Sequence, residues 1–212
     1  MHFSTWNVDA SQIPSRQELA AVLKDLKRRA NRLPNVQMNL AILRLACCCG
    51  LRASEIGGLT LGDVRVGIAR PHLLVRAEYA KLNRPRRVPL WWDAGTLADL
   101  SAWLDNRHDQ GARRDDPFVC SLQVATLGQS LNRHVLRRRF HTACRILGWD
   151  RLRNLTIHHG WHTFISHALA GGRTLAEVKA AAGHASLLTT SVYLHEVVGE
   201  WEEAGELFAA DG

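Results

Sequence analysis

The stretch GHASLLTTSVYLH, residues 183–195, carries the most decisive pattern in this chain. It sets His184 nine residues before Tyr193 and places another histidine, His195, just downstream. Two earlier stretches complete the pattern, GLRASEIGGLTLGD at residues 50–63 and HHGWHTF at residues 158–164. Phosphodiester transfer without a metal needs a nucleophile, cations for the non-bridging oxygens and an acid for the leaving oxygen. Tyrosine, arginine, lysine and histidine side chains can supply all of these groups.

In order and spacing, these stretches resemble the tyrosine recombinase, or phage integrase, family, over roughly residues 12–198. The resemblance implies site-specific DNA strand exchange through a Holliday junction, with a 3′-phosphotyrosyl intermediate and a freed 5′ hydroxyl. The linkage preserves the bond energy, so neither ATP nor another cofactor is implied, and no metal. The positions that match the family's active site are Arg52, Lys81, His158, Trp161, His184 and Tyr193, with Glu55 beside them.

The resemblance also implies a role for each position. Tyr193 matches the nucleophile. Arg52 matches the first catalytic arginine, whose planar fork suits two phosphate oxygens at once. Glu55 lies one helical turn after Arg52, and its counterpart in the family braces the active site.

The remaining matches concern the leaving oxygen and the phosphate. Lys81 matches the lysine of the family's β-hairpin, which reaches the scissile step and can act as general acid. His158 matches the histidine that opens a His-x-x-Arg motif, and His184 matches a later histidine that contacts the phosphate.

One position departs from the family, because Trp161 stands where the second catalytic arginine is expected. Tryptophan has no charge and a single N–H donor, so it cannot replace a bidentate guanidinium. Loss of one preorganised donor lowers the rate by ~10²–10³. An indole that faces inward would also distort the pocket. The sequence predicts poor cleavage, and nothing in it places the nearest arginines, Arg153 and Arg173, at the phosphate.

Taken one at a time, the same residues have ordinary interpretations. A lone tyrosine such as Tyr193 is usually a packing residue, and a lone Lys81 would be a surface charge in a turn. His158 and His162 have the i,i+4 spacing of metal ligands, but the chain has no HExxH motif and Trp161 lies between them. The joint occurrence of the matches, in order, favours the recombinase interpretation.

The pattern along the chain predicts a fold that is mainly α-helical with a small antiparallel β-sheet, in the α+β class. Ser15 and Glu18 form a capping-box pattern that predicts a first helix from near residue 15. The other predicted helices cover residues 36–49, 54–59, 94–108, 131–147, 159–170, 175–182 and 186–193. Residues 64–90 have an extended pattern, with strands at 72–76 and 86–90.

Charge is unevenly distributed. The chain of 212 residues has a net charge of +7, yet residues 196–212 hold six acidic and no basic residues. The rest holds 27 basic and 14 acidic residues, a net charge of +13. So basic a body suits a polyanion, and nucleic acid is the first candidate.

The cysteines and the apolar segments indicate the compartment. None of the five cysteines forms a CxxC pair, which favours free thiols in a reducing compartment. No apolar run approaches the ~20 residues of a membrane helix, and the N-terminus lacks the pattern of a signal peptide. We expect a cytoplasmic protein of bacterial or phage origin, nucleoid-associated when it is bound to DNA.

The expected organisation has three parts. Residues 1–14 form an irregular segment, residues 15–195 a tyrosine recombinase catalytic domain and residues 196–212 an acidic tail with a docking helix, without a core-binding domain. The expected partners are double-stranded DNA and further copies of the chain, as a tetramer on DNA, and the expected setting is a mobile element.

Three other functions stay open at this point. A catalytically inactive, DNA-binding relative would act as a regulator or relic. A type IB topoisomerase shares the fold and chemistry but would relax supercoils as a single subunit. An unrelated basic helical module would require the motif matches to be accidental.

Overall fold

A computed structural model describes residues 13–31, 33–80 and 83–193. Within these ranges the chain is mainly helical with one small sheet, as predicted. The helices are α1 Arg16–Ala30, α2 Pro34–Cys47, α3 Ala53–Gly58, α4 Ala94–Asp109, α5 Arg133–Ala143, α6 Trp149–Asn154, α7 Ile157–Ala170, α8 Leu175–Ala182 and α9 Leu187–Ser191. The strands are β1 Val64–Arg65, β2 His72–Val75 and β3 Arg86–Pro89. No helix in the described ranges combines the length and the apolar character that a membrane crossing needs.

The start of α1 confirms the predicted capping box. The Ser15 hydroxyl accepts from the Glu18 backbone N–H at 3.1 Å, and the Glu18 carboxylate accepts from the Ser15 N–H at 2.8 Å. Arg151 also donates to Glu18, with 2.7 Å between Nε and Oε1. The cap therefore stabilises the start of α1 and also links this helix to α6.

Helix α2 lies at the centre of the core. Met38, Ile42 and Leu45 are fully buried, and α1, α4, α5 and α7 all pack against this helix. The chain leaves it at Gly50, which has a φ of +63°. A Cβ at that position would lie 2.3 Å from the Phe164 ring, so only glycine allows this turn next to α7.

The sheet is antiparallel, in the order β1-β2-β3, and pairs Leu73 with Val64 on one side and with Val88 on the other. Leu73 and Val88 are buried against the helices. The extended pattern over residues 64–90 predicted β2 and β3 as separate strands but not β1, since two residues are too short to show a period.

Some boundaries differ from the prediction. The helix predicted at residues 131–147 ends at Ala143, and a 3₁₀ turn, Arg145–Leu147, follows it. Gly148, with a φ of +83°, then allows the unpredicted helix α6 to begin. Helix α7 begins at Ile157, earlier than the predicted residue 159, and α9 ends at Ser191, before the predicted residue 193.

Several predictions concern residues outside the described ranges. These are Lys81 and its place in the hairpin, His195, the acidic tail at 196–212 and most of the segment at 1–14. They remain predictions.

Candidate active site

Arg52 begins the site, at the residue that precedes α3. Its backbone N–H donates to Glu55 Oε2 at 2.8 Å, and its Nη1 donates to Glu55 Oε1 at 3.4 Å and to the Ala182 carbonyl at 3.5 Å. Burial lowers the pKa of Arg52, and Glu55 opposes that shift. The guanidinium stays charged and keeps 19% of its side chain exposed.

Glu55 is completely buried, and a second arginine neutralises it. Arg86 donates to both carboxylate oxygens, at 2.6 and 2.8 Å, and its Nε donates to the Ala181 carbonyl at 2.7 Å. Arg86 is not among the site residues predicted from the sequence. Its place two residues before the buried Val88 was the available signal, because alternate residues of a strand share a face.

Trp161 occupies the middle of the site from the second turn of α7. It is 6% exposed, so it faces inward. The Arg52 guanidinium carbon lies 4.7 Å from the centre of the indole, and His158 stacks on the indole at 5.5 Å and 11°. Within the described ranges, the buried Trp161 Nε1 has no hydrogen-bond partner. The indole therefore brings bulk where a cation is expected.

His184 also contacts the Trp161 ring. Its ring centre is 4.9 Å from the Trp161 ring at an angle of 67°, and its Nδ1 lies 2.8 Å from Thr190 Oγ1. Helix α8 ends at Gly183, whose φ is +71°. A Cβ at Gly183 would lie 3.0 Å from the Arg86 side chain, so the turn that presents His184 packs directly on Arg86.

Tyr193 is buried, with 3% of its surface exposed. Its Oη lies 2.5 Å from His162 Nδ1, a short hydrogen bond. Burial lowers the pKa of His162 to about 4, and His158, His159 and His184 add to the shift. His162 is therefore neutral at neutral pH. The sequence pattern suggested only a metal-ligand role for His162, because a contact with Tyr193 across 31 residues leaves no local signal.

The sequence agrees with this geometry. Residues 15–199 match the family model described as the phage integrase family. The chain belongs to this family.

Relatives in the family extend the comparison. Tyrosine recombinase XerC of Corynebacterium glutamicum is 33% identical over 155 residues, which cover 73% of this chain and 46% of that protein. Tyrosine recombinase XerD of Yersinia pestis is 32% identical over 174 residues, which cover 76% of this chain and 52% of that protein. The chain thus spans about half the length of these relatives.

Solved structures share the integrase-family fold. XerH site-specific recombinase, solved in a post-cleavage complex with difH substrate, has a TM-score of 0.71 and 22% identity, covering 92% of this chain and 53% of that one. The XerA recombinase has a TM-score of 0.69 and 18% identity, covering 92% of this chain and 66% of that one. At such identities the likeness concerns the fold alone.

The positions that match the family's active site lie together, apart from Lys81, which is outside the described ranges. Ring contacts and hydrogen bonds connect these positions. Arg86 adds contacts to Glu55, and His162 connects His158 with Tyr193. The connected positions are Arg52, Glu55, His158, Trp161, His184 and Tyr193. The arrangement brings together a phenol, imidazoles and a guanidinium, groups whose chemistry could serve an attack on a phosphodiester.

Two arginines that are near Trp161 in sequence are engaged elsewhere. Arg153 donates to Asp150 at 2.9 Å on an exposed surface. The Arg173 guanidinium carbon lies 4.9 Å from the centre of the Trp92 ring. Among the described residues, the guanidinium that lies over the Trp161 ring is that of Arg52.

Proposed function

We propose that residues 15–195 are the catalytic domain of a DNA recombinase, which binds duplex DNA and exchanges strands through Tyr193, and that Trp161 makes this copy slow to cleave. The observation that carries the proposal is the grouping of Arg52, His158, His184 and Tyr193 around the Trp161 site. Membership of the phage integrase family supports the same chemistry.

In the proposed reaction, the Tyr193 oxygen attacks the scissile phosphorus. A bond forms between this oxygen and phosphorus, and the bond from phosphorus to the 5′ oxygen breaks. The phenolic proton passes to solvent water, and the 5′ oxygen takes up a proton, a step assigned to Lys81 by its match to the family. Attack by the 5′ hydroxyl of another strand on the phosphotyrosine reverses these changes and joins the DNA.

Among its described residues, this copy has few groups that can stabilise the negative charge on the non-bridging phosphate oxygens. Arg52 is a partly exposed guanidinium of the cluster, whereas Arg86 is 8% exposed and holds Glu55. Trp161 fills the position of the expected second guanidinium. Since one preorganised donor contributes ~10²–10³ in rate, we expect cleavage to be slower by at least that factor than with arginine at position 161.

A second candidate function is DNA binding without cleavage, by a regulator or a relic. The packing of Trp161 favours it, because the indole lies under Arg52 and against His158 as part of the buried structure. Arg52 and the basic body of the chain would still attract phosphate.

Covalent trapping on DNA tests both functions. The protein is incubated with a pooled library of nicked duplexes, and complexes that resist SDS are counted. Trp161→Arg restores the guanidinium, Trp161→Phe is the matched aromatic control, and Tyr193→Phe removes the nucleophile. We expect much faster trapping by Trp161→Arg than by the unchanged protein, no gain from Trp161→Phe and no trapping by Tyr193→Phe.

The other outcomes separate the two functions. Rapid trapping by the unchanged protein would show that Trp161 does not impair cleavage. DNA binding in a gel-shift assay without any trapping by Trp161→Arg would favour the regulator. Absence of binding as well would count against both functions.

The proposal also covers the oligomeric state on DNA and the location in the cell. We expect a homotetramer on DNA, with the acidic tail at 196–212 docked on a protein surface away from the phosphates, since its charge repels DNA. We expect the protein in the cytoplasm of a bacterium, associated with the nucleoid. Sedimentation of the protein with a duplex that it binds would test the tetramer, and a persistent single subunit per site would contradict it.

A further inference from the structure

We infer that His162 is the positioning residue for the nucleophile, holding the Tyr193 hydroxyl at a fixed point of the site through Nδ1. This inference rests on the proposed function for the role of Tyr193. The observation behind it is the 2.5 Å contact between His162 Nδ1 and Tyr193 Oη, with both side chains buried.

The His162 ring is itself held in place. It projects from α7, which packs along the central helix α2. The His158 ring meets it edge-on at 4.7 Å and 80°, and the Trp161 ring meets it at 5.1 Å and 75°. Only 6% of His162 is exposed. Nδ1 therefore has a position that α7 and two neighbouring rings define.

The position of Tyr193 in the chain does not by itself fix its hydroxyl. It lies two residues beyond α9, a helix of only five residues. Its ring belongs to an apolar cluster between α7 and α8 that includes Ile165, Val178 and Ala181. Apolar contacts fix the depth of a ring but not the direction of its hydroxyl, which a hydrogen bond sets.

The chemistry of His162 suits positioning and not proton abstraction. Its pKa of about 4 makes the ring neutral but a poor base near neutral pH. With the ring proton on Nε2, Nδ1 accepts the phenolic O–H and orients it. Holding the oxygen at one place lowers the entropy that must be lost before attack, and a displacement of about 1 Å can reduce a rate by ~10².

The two tyrosines of the sequence allow a direct test without DNA. Tyrosine labelled with ¹³C at Cζ gives one resonance for Tyr79 and one for Tyr193, and Tyr193→Phe assigns them. His162→Phe keeps a ring but removes the acceptor, whereas His162→Asn keeps an acceptor where Nδ1 lies. His167→Phe is the matched control, another histidine of α7, which lies beside Trp92 and Phe164 instead.

We expect His162→Phe to move the Tyr193 resonance, and His162→Asn and His167→Phe to leave it close to its original shift. A Tyr193 resonance that ignores His162→Phe would overturn the inference. If His162→Phe does not fold, the reciprocal measurement decides. In ¹⁵N-histidine spectra, Tyr193→Phe must move the His162 Nδ1 resonance, and an unmoved resonance would overturn the inference equally.

The role in the reaction is tested in the Trp161→Arg protein by single-turnover cleavage. We expect the added change His162→Phe to lower the rate at saturating DNA by ~10² with little change in the Kd for DNA, and His162→Asn to restore most of the rate. An unchanged rate in a cleaving protein would overturn the positioning role. A Trp161→Arg protein that binds DNA but never cleaves would count against the proposed function, and the NMR results would then decide the inference alone.

Discussion

Two sides of the candidate site differ in how their polar groups are stabilised. The ionic wall, Arg52, Glu55 and Arg86, places two guanidiniums on one fully buried carboxylate. The ring wall consists of His158, Trp161, His162, His184 and Tyr193. Its rings contact one another, and its hydrogen bonds include those from His162 to Tyr193 and from His184 to Thr190.

Comparing the two walls shows that Trp161 leaves the ring wall without a guanidinium. Under the proposed function, an arginine at position 161 would place a second cation near Arg52 for a phosphate to bind. With Trp161 there, Arg52 lies over the indole instead, a cation–π contact of about 0.5–2 kcal/mol. The ionic wall keeps its structure without its partner, because Glu55 and Arg86 neutralise each other within it. The ionic wall therefore stabilises the fold whether or not it binds a phosphate.

The largest expected effect comes from breaking the ionic wall. Arg86→Met leaves the Glu55 carboxylate buried with its 2.8 Å hydrogen bond from the Arg52 backbone N–H and the 3.4 Å contact from Arg52 Nη1. We expect a loss of ~3–5 kcal/mol in the free energy of unfolding. Denaturant melts measure it. Arg87→Met, an exposed neighbour on the same strand, is the control and should stay within ~0.5 kcal/mol. A loss below about 1 kcal/mol for Arg86→Met would show that the wall is not a structural unit.

The ring wall should respond to pH instead. His162 has a pKa of about 4 in the folded protein and 6.5 as a reference, so the folded state binds fewer protons between these values. Above pH 6.5, His162 should not affect the free energy of unfolding. As the pH falls from 6.5 to about 4, the free energy of unfolding should decrease by about 3 kcal/mol in total. Melts of the protein and of His162→Asn across this range measure the difference. A parallel dependence in both proteins would contradict it.

A smaller effect is expected for DNA binding. Arg52→Gln removes the charge that we propose contacts a phosphate, and we expect a loss of about 1.5–3 kcal/mol in binding free energy. The slope of log affinity against log salt should fall by about one unit. Titrations at several salt concentrations measure both, with Arg153→Gln as the control. Equal losses for the two variants would mean that the ionic wall does not face the DNA.

The smallest effect is expected for an exposed ion pair, which serves as a reference for the buried pair in the ionic wall. Arg153 and Asp150 form an ion pair on the surface, with 61% and 92% of their side chains exposed. Arg153→Gln should change the free energy of unfolding by no more than about 0.5 kcal/mol, because solvent screens such pairs. A thermal or denaturant melt checks this, and a loss comparable to that of Arg86→Met would remove the distinction between buried and exposed pairs.

Much of the fold was accessible to local patterns. The Ser15–Glu18 cap, the end of α2 near Gly50 and the helices around residues 94–108 and 175–182 were predicted close to where they lie. Helix α6 was missed because the break before it depends on Gly148, within a stretch that still looks helical. Strand β1 was missed because it exists only through its pairing with β2.

For the site, the sequence determined the residue types and their order, including the tryptophan at position 161. Tertiary structure decided which of them touch: Arg86 on Glu55 and His162 on Tyr193, each across 31 residues, and Arg52 over Trp161. Helix and strand periods report which face of one element a residue occupies. They carry no information on which residue of another element meets that face, because packing between elements fixes it.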